Sequence, residues 1–320
     1  MTRDTTTRVA VASRSFSRHP ILRAALLERY ERVTFNDAGV SLAGEALIEF
    51  LTDHDKAITA LERLDEAILA RLPELKVVGK YGVGLDMIDL AALGRLGKKL
   101  GWTGGVNKRS VSELVISAAI ALLRHVPQGN ALVRDGGWRQ LMGRQLSQRS
   151  VGIVGCGHVG KDLAVLLKAF GCRVLAHDIK DFADFYATHG IEKMGLDALL
   201  AEADIVTLHL PLDGSTRNIL PADKLGLMRR GSILINMARG GLVDEAAVKA
   251  MLADGHLAGA AFDVFAEEPP VDFDLLRHPN MLALPHIGGS AEEAVLAMGR
   301  AAIAGLDNAR DPLDFVGQGG

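Results

Sequence analysis

The sequence predicts an α/β protein made of two doubly wound parallel-sheet domains, Rossmann-like or flavodoxin-like, with a cleft between them. Three observations carry this. Short apolar or β-branched runs alternate with runs of helical spacing along almost the whole chain. A glycine turn between one such strand and one such helix, Gly155-Cys156-Gly157-His158-Val159-Gly160, opens the second of two long series. With 320 residues the chain is also longer than one ordinary domain.

Taken in order, the first series reads as strand Val9 to Ala12, helix Ile21 to Arg29, strand Val33 to Phe35, helix Ala46 to Leu51, strand Ala57 to Thr59, helix Asp65 to Arg71 and strand Lys76 to Gly79. It lacks a glycine fingerprint of its own, which suits a partner domain. Lys80-Tyr81-Gly82-Val83-Gly84 follows its last strand, where bare backbone N–H groups serve either a ligand or a turn required by packing. The passage Trp102 to Gly105 and Asn107 then reads as a hinge. Ser110 and Glu113 have capping-box spacing for a helix from Val111 to Arg124. The polar, glycine-containing stretch from His125 to Arg149, with Trp138, reads as a projecting arm or dimer contact, or else as a surface loop.

The second series starts with strand Val151 to Val154, the glycine turn, and a helix marked by Leu163, Leu166, Leu167 and Phe170. Strands follow at Arg173 to Ala176, Ile205 to Leu208, Ser232 to Asn236, Ala258 to Phe262 and Met281 to Leu284, with helices at Ala222 to Leu227 and Glu245 to Leu252. Six strands make a full dinucleotide-binding domain. The alanine-rich helix Glu292 to Asn308 is expected to return to the first domain. The division is therefore 1–105 with 290–320, and 106–289.

Composition narrows the function. A hydrophobic fraction of 48%, 35 glycines and 5% aromatic residues suit a soluble α/β enzyme. A net charge of −3 offers no general attraction to nucleic acid or to an acidic membrane. No apolar stretch has the length of a signal peptide or membrane span, so the expected location is cytoplasmic. Two cysteines, Cys156 and Cys172, without CxxC spacing fit a reducing compartment and no metal site.

In the glycine turn, Gly155 permits the tight turn, Gly157 leaves space for a pyrophosphate and Gly160 lets helix and strand pack closely. The helix N–H groups then face the phosphates. Asp178, 18 residues past Gly160, is placed to accept from ribose hydroxyls and to repel a 2′-phosphate. That points to NAD, with Lys180 leaving NADP open. Three further strand ends carry Arg239, Glu268 and His286. Each alone has a bland reading as a surface or loop residue. Together beside a nicotinamide they fill the roles of a hydride-transfer site. Arg239 offers a planar fork to a carboxylate, His286 exchanges the hydroxyl proton, and Glu268 fixes the histidine tautomer and favours the protonated ring.

The motifs KYGVGLDMIDL, VNKRSVSELV, VGIVGCGHVG, LHLPLDGSTRNIL, ILINMARGGLVDE, AFDVFAEEPP and LPHIGGS occur in that order and span most of the chain. On them the sequence resembles the D-2-hydroxyacid dehydrogenase family, closest to its 3-phosphoglycerate dehydrogenase-like branch. The resemblance implies NAD-dependent oxidation of a small D-2-hydroxy acid, with Arg239, Glu268 and His286 as the catalytic residues. It implies substrate contacts at Lys80, Val83, Gly84, Asn107 and Arg239, and a hinge at Asn107 and the His286 loop. Cofactor contacts are implied at His158, Val159, His209, Pro211, Thr216, Ala238, Asp263 and Gly288, with Asp263 on the nicotinamide amide. It also implies a homodimer formed through the helix and arm of residues 111–149. Met87, Gly104 and Ser290-Ala291 depart from common family residues at the pocket rim. The length suggests a short form without a serine-binding regulatory domain. The alternative is an NAD(H)-sensing, non-enzymatic corepressor-like protein, as a few relatives of this fold are.

Overall fold

A computed structural model of the chain describes residues 2–317. The ends of the expected first domain, Met1 and residues 318–320, lie outside the described residues. The chain divides into two compact units, one running to Asn107 and resuming at Glu292, the other from Lys108 to Ala291.

The first unit contains β1 (Asp4–Val11), α1 (Arg14–Arg18), α2 (Pro20–Arg29), β2 (Tyr30–Phe35), α3 (Gly44–Leu51), β3 (Lys56–Thr59), α4 (Glu66–Leu69), β4 (Val77–Lys80), α5 (Leu90–Arg95) and β5 (Lys99–Gly101). Its strands are all parallel, in the order β2-β1-β3-β4-β5. The order reverses between β1 and β3, so their carboxyl ends diverge into a crevice suited to ligands. Helix starts are fixed locally: Asp65 and Asp89 accept hydrogen bonds from the Ile68 and Ala92 amides. The sequence reading missed α1, α5 and β5. The last two are short, six and three residues, and the glycine-interrupted run LGRLGKKLG, which holds the end of α5 and all of β5, shows neither strand nor helix periodicity.

The second unit contains α6 (Lys108–Leu123), α7 (Val126–Arg134), β6 (Ser150–Val154), α8 (His158–Ala169), β7 (Arg173–His177), α9 (Ala183–His189), β8 (Glu192–Lys193), α10 (Leu196–Glu202), β9 (Ile205–Leu208), α11 (Ala222–Leu225), β10 (Ser232–Asn236), α12 (Glu245–Ala253), β11 (Leu257–Phe262), α13 (Phe273–Leu276) and β12 (Met281–Ala283). Its parallel sheet has seven strands in the order β12-β11-β10-β9-β6-β7-β8. The additional strand relative to the sequence reading is the two-residue edge strand β8. Strands β6, β9 and β10 are buried throughout, as expected for a sheet covered on both faces. Helix α6 is clamped to α8 by a bidentate pair in which Arg109 Nε and Nη2 each donate at 2.9 Å to Asp162.

Helix α6 starts three residues before the expected Val111, so Ser110 lies inside its first turn and no capping box forms. The Ser110 hydroxyl donates instead to the Gly288 carbonyl at 2.6 Å. The stretch after α6 holds a helix, α7, that buries none of its residues, followed by Trp138 and Met142, 91% and 95% exposed.

Helix α14 (Glu292–Gly305) returns to the first unit and packs on β4, β5 and α2. Gly101 and Gly305 meet so closely that a Cβ on Gly101 would stand 2.2 Å from the Gly305 carbonyl oxygen. A short 3₁₀ turn, Pro312–Phe315, then seats Phe315 edge-on against Trp102.

Candidate functional site

In the second unit the sheet register aligns three loops. Asn236 pairs with Phe262, and Phe262 with Ala283, so β10, β11 and β12 end side by side. Adjacent strands lie about 4.8 Å apart. Arg239 is three residues past the first end, Glu268 six past the second and His286 three past the third.

Each loop is held by its own contacts. The Asn236 side chain accepts from the Ala238 amide at 3.2 Å and donates to the Arg239 carbonyl at 2.9 Å, folding the Arg239 loop over the strand end. Arg239 Nη1 donates to the Ala238 carbonyl at 2.6 Å. Gly240 lies against the next loop: a Cβ there would stand 1.8 Å from the Phe265 carbonyl oxygen. The loop of Glu268 is held from beneath by Glu245, whose Oε1 accepts from the Ala266 amide at 2.7 Å. Burial raises the Glu245 carboxyl above its ordinary range, partly offset by that bond.

Glu268 reaches His286 directly, with Oε2 2.8 Å from Nδ1, while its Oε1 accepts from the Phe265 amide at 3.1 Å. The imidazole is half exposed. His286 has φ +56°, a left-handed conformation that costs a non-glycine residue roughly 1–2 kcal/mol. Asp263 holds the backbone there, accepting from the Ile287 amide at 2.7 Å and the Gly288 amide at 2.6 Å. Asp263 is itself buried, which raises its carboxyl, and the two amides act against that rise.

The cofactor-type turn has the close approaches that the fingerprint requires. Gly155 has φ +94°, and a Cβ there would stand 2.5 Å from the His209 carbonyl oxygen. A Cβ on Gly160 would stand 2.2 Å from the Gly155 carbonyl oxygen, so helix α8 meets the turn through bare backbone. Gly157 is the N-cap of α8 and supplies no side-chain cap, leaving the first N–H groups, those of His158 and Val159 among them, for an anion. Asp178 follows β7 directly. Its Oδ2 accepts from the Cys156 amide at 2.6 Å and its Oδ1 from the Lys180 amide at 2.7 Å. Thus the acid is anchored to the glycine turn, and the Lys180 backbone serves it. These residues fit a dinucleotide: a pyrophosphate at the uncapped α8 start and a ribose at Asp178.

His209, buried after β9, is hydrogen-bonded through Nε2 to Thr207 Oγ1 at 2.9 Å, and burial pushes its pKa down to about 3. Thr216 Oγ1 donates to the Pro211 carbonyl at 2.7 Å and accepts from the Asp213 amide at 2.9 Å, closing the loop that follows.

In the first unit, Trp102 Nε1 donates to the Val83 carbonyl at 3.0 Å and pins the Val83-Gly84 loop. Asn107 is buried, and its Oδ1 has no hydrogen-bond partner. Lys80, a substrate contact implied by the family resemblance, ends β4 with its side chain turned inward. It is 5% exposed, and its ammonium donates to the Ala60 carbonyl. Sequence reasoning also missed Asn236, Gly240, Glu245 and Trp102, although the first three lie in or beside the ILINMARGGLVDE motif.

Among the described residues no cluster of His, Cys, Asp or Glu is arranged to hold a metal ion, and no single helix is long and apolar enough to cross a membrane.

Residues 116–288 match the family model described as D-isomer specific 2-hydroxyacid dehydrogenase, NAD binding domain. The chain is 35% identical over 257 residues to D-3-phosphoglycerate dehydrogenase of Rattus norvegicus, covering 79% of this chain and 48% of that protein. It thus spans about half the length of the curated relatives it matches. Among solved structures, a putative D-isomer specific 2-hydroxyacid dehydrogenase from a Polaromonas species superposes with a TM-score of 0.86 at 27% identity, covering 94% of this chain and 95% of the other. A Thermus thermophilus protein does so with a TM-score of 0.82 at 31% identity, covering 96% and 97%.

Proposed function

The chain belongs to the D-isomer specific 2-hydroxyacid dehydrogenase family, and from that premise we propose that it interconverts a small D-2-hydroxy acid and its 2-oxo acid with NAD(H). Written toward reduction, the 2-oxo acid, NADH and a proton give the D-2-hydroxy acid and NAD⁺. The observation that carries this reading is the Glu268–His286 pair beside the Arg239 loop, in a unit that also holds the glycine turn and Asp178.

Bound nicotinamide supplies or takes up the hydride. Arg239 binds the substrate carboxylate through its planar fork. Because Glu268 occupies Nδ1 of His286, Nε2 is the nitrogen left to give its proton to the carbonyl oxygen, or to take it back from the hydroxyl. Asp263 keeps that ring at its strained position, and the lone pairs its carboxylate has left serve the nicotinamide amide. In the first unit we assign the Val83 and Gly84 amides to the substrate carboxylate and Asn107 to the hinge. His158, Val159, His209, Pro211, Thr216, Ala238 and Gly288 are assigned to the cofactor. The exposed Val126, Val133, Trp138 and Met142 suit a homodimer contact.

The test is NADH consumption with glyoxylate, hydroxypyruvate, phosphohydroxypyruvate and larger 2-oxo acids. Turnover of at least one, lost in His286→Ala with NADH binding retained, is the expected result. Tight NADH binding without turnover of any 2-oxo acid would favour a cofactor-sensing protein instead.

A further inference from the structure

Trp102 is the first residue past β5, and Gly101 of β5 pairs with Gly79 of β4, so the indole stands beside the chain that leaves β4 toward Val83 and Gly84. A buried indole N–H needs an acceptor. Trp102 is 8% exposed, and its Nε1 donates to the Val83 carbonyl at 3.0 Å. We propose that Trp102, seated on Phe315, is a positioning residue that aims the Gly84 amide at the substrate carboxylate. The proposal rests on the dehydrogenase reading, with the Val83 and Gly84 amides on that carboxylate, and names what orients them.

The link is one peptide plane. The Val83–Gly84 bond is trans, since the one cis peptide among the described residues is Glu268–Pro269. In a planar trans unit the carbonyl and the following N–H point in opposite directions. Holding the Val83 carbonyl on the indole therefore turns the Gly84 N–H away from Trp102. Neither the Val83 nor the Gly84 N–H donates to another group among the described residues, so both remain for a ligand. The loop is anchored at its ends: the Tyr81 amide donates to the Thr59 carbonyl at 2.8 Å, and Tyr81 and Leu85 are buried. Between these anchors Val83 has glycine on both sides, and Gly82 sits at φ +127°. Glycine leaves a peptide free to rotate, so the indole hydrogen bond decides its orientation.

The indole is itself held by the returning C-terminal segment. Leu100, in β5, and Arg310 exchange two backbone hydrogen bonds at 3.0 Å each. The turn Pro312–Phe315 then brings the buried Phe315 ring edge-on to Trp102, with centres 5.4 Å apart. The Arg310 guanidinium lies 4.5 Å from the centre of the Phe315 ring and holds that ring in turn. All these residues belong to the first unit, whereas the glycine turn and the Glu268–His286 pair belong to the second. Loss of the indole N–H therefore acts on the 2-oxo acid and leaves NADH binding alone.

The test is Trp102→Phe in the full chain, which keeps a ring for Phe315 and removes the donor. It is assayed with NADH and whichever of glyoxylate, hydroxypyruvate and phosphohydroxypyruvate the wild type reduces best. The KM for the 2-oxo acid is expected to rise about tenfold, with kcat and the KM for NADH within about twofold of wild type, because a contact made equally in ground and transition states acts on KM alone. An unchanged KM for the 2-oxo acid, or a loss shared with kcat or with the KM for NADH, overturns the positioning role. Melting curves check the fold; if Trp102→Phe does not fold, Phe315→Leu, which keeps the indole N–H but loosens its seat, is read by the same split. If the wild-type chain reduces no 2-oxo acid, the dehydrogenase reading fails. The positioning role is then judged by whether oxamate raises the wild-type Tm and not that of the variant, an equal or absent rise overturning it.

Discussion

Glu268 Oε2 stands 2.8 Å from Nδ1 of His286, while the other oxygen of the same carboxylate accepts from the Phe265 amide. Both side chains are more than a third exposed, so the pair adds about 0–1 kcal/mol to stability. Its value is orientation: it fixes which imidazole nitrogen remains for substrate.

Glu268→Gln keeps the size of the side chain and removes its charge. The expected loss in kcat/KM is about 100-fold, at the lower end of general acid–base contributions. NADH affinity by fluorescence titration and the melting temperature stay near wild type. An unchanged kcat/KM would remove Glu268 from the mechanism.

Asp263 acts one step further back, through the backbone on which His286 stands. Asp263→Asn retains one acceptor oxygen but turns an amide NH₂ toward either the Ile287 or the Gly288 N–H. A buried donor left without a partner costs about 1–3 kcal/mol. Denaturation should show a loss of that size, and kcat should fall with little change in NADH affinity. A stable variant with normal kcat would mean that the left-handed His286 backbone needs no such support.

Asp178 has two duties, and two variants separate them. Asp178→Asn keeps an acceptor for the part-buried Cys156 amide and releases the exposed Lys180 amide to water, whereas Asp178→Ala keeps no acceptor for either. Both should weaken NADH binding by about tenfold, equal to about 1.4 kcal/mol, and both should narrow the preference over NADPH because the repelling charge is gone. Only the alanine variant should also lower the Tm. If Asp178→Asn discriminates against NADPH as strongly as wild type, the ribose is not read by this carboxylate.

What was legible in the sequence is what depends on local order. The runs at Val151 to Val154 and Ile205 to Leu208 are strands because they are apolar, short and bounded, and the glycine turn between β6 and α8 has fixed spacing. Arg239, Glu268 and His286 were readable as strand-end residues because β10, β11 and β12 end in register. The short β5 and β8 have no period to read. Ser110 illustrates a second limit: a capping-box pattern in sequence was overridden by a carbonyl, that of Gly288, 178 residues away. Likewise nothing near Lys80 announces the Ala60 carbonyl, and nothing near Glu245 announces the Ala266 amide. These contacts depend on which loops the sheet order brings together.

His209 makes stability depend on pH in a predictable direction. It is buried, hydrogen-bonded to Thr207, and its pKa is pushed down to about 3 from 6.5. A folded-state value below the unfolded one means that the unfolded chain takes up the proton first. The contribution is therefore fully present above pH 6.5 and is lost as pH falls toward 3. One proton bound only by the unfolded state lowers stability by about 1.4 kcal/mol per pH unit. Denaturant midpoints taken from pH 7.5 to 4.5 should fall less steeply for His209→Gln than for wild type, and the difference between the curves cancels the other titrating groups. Parallel curves would show that His209 takes up its proton equally in the folded chain, and that its burial does not hold it neutral.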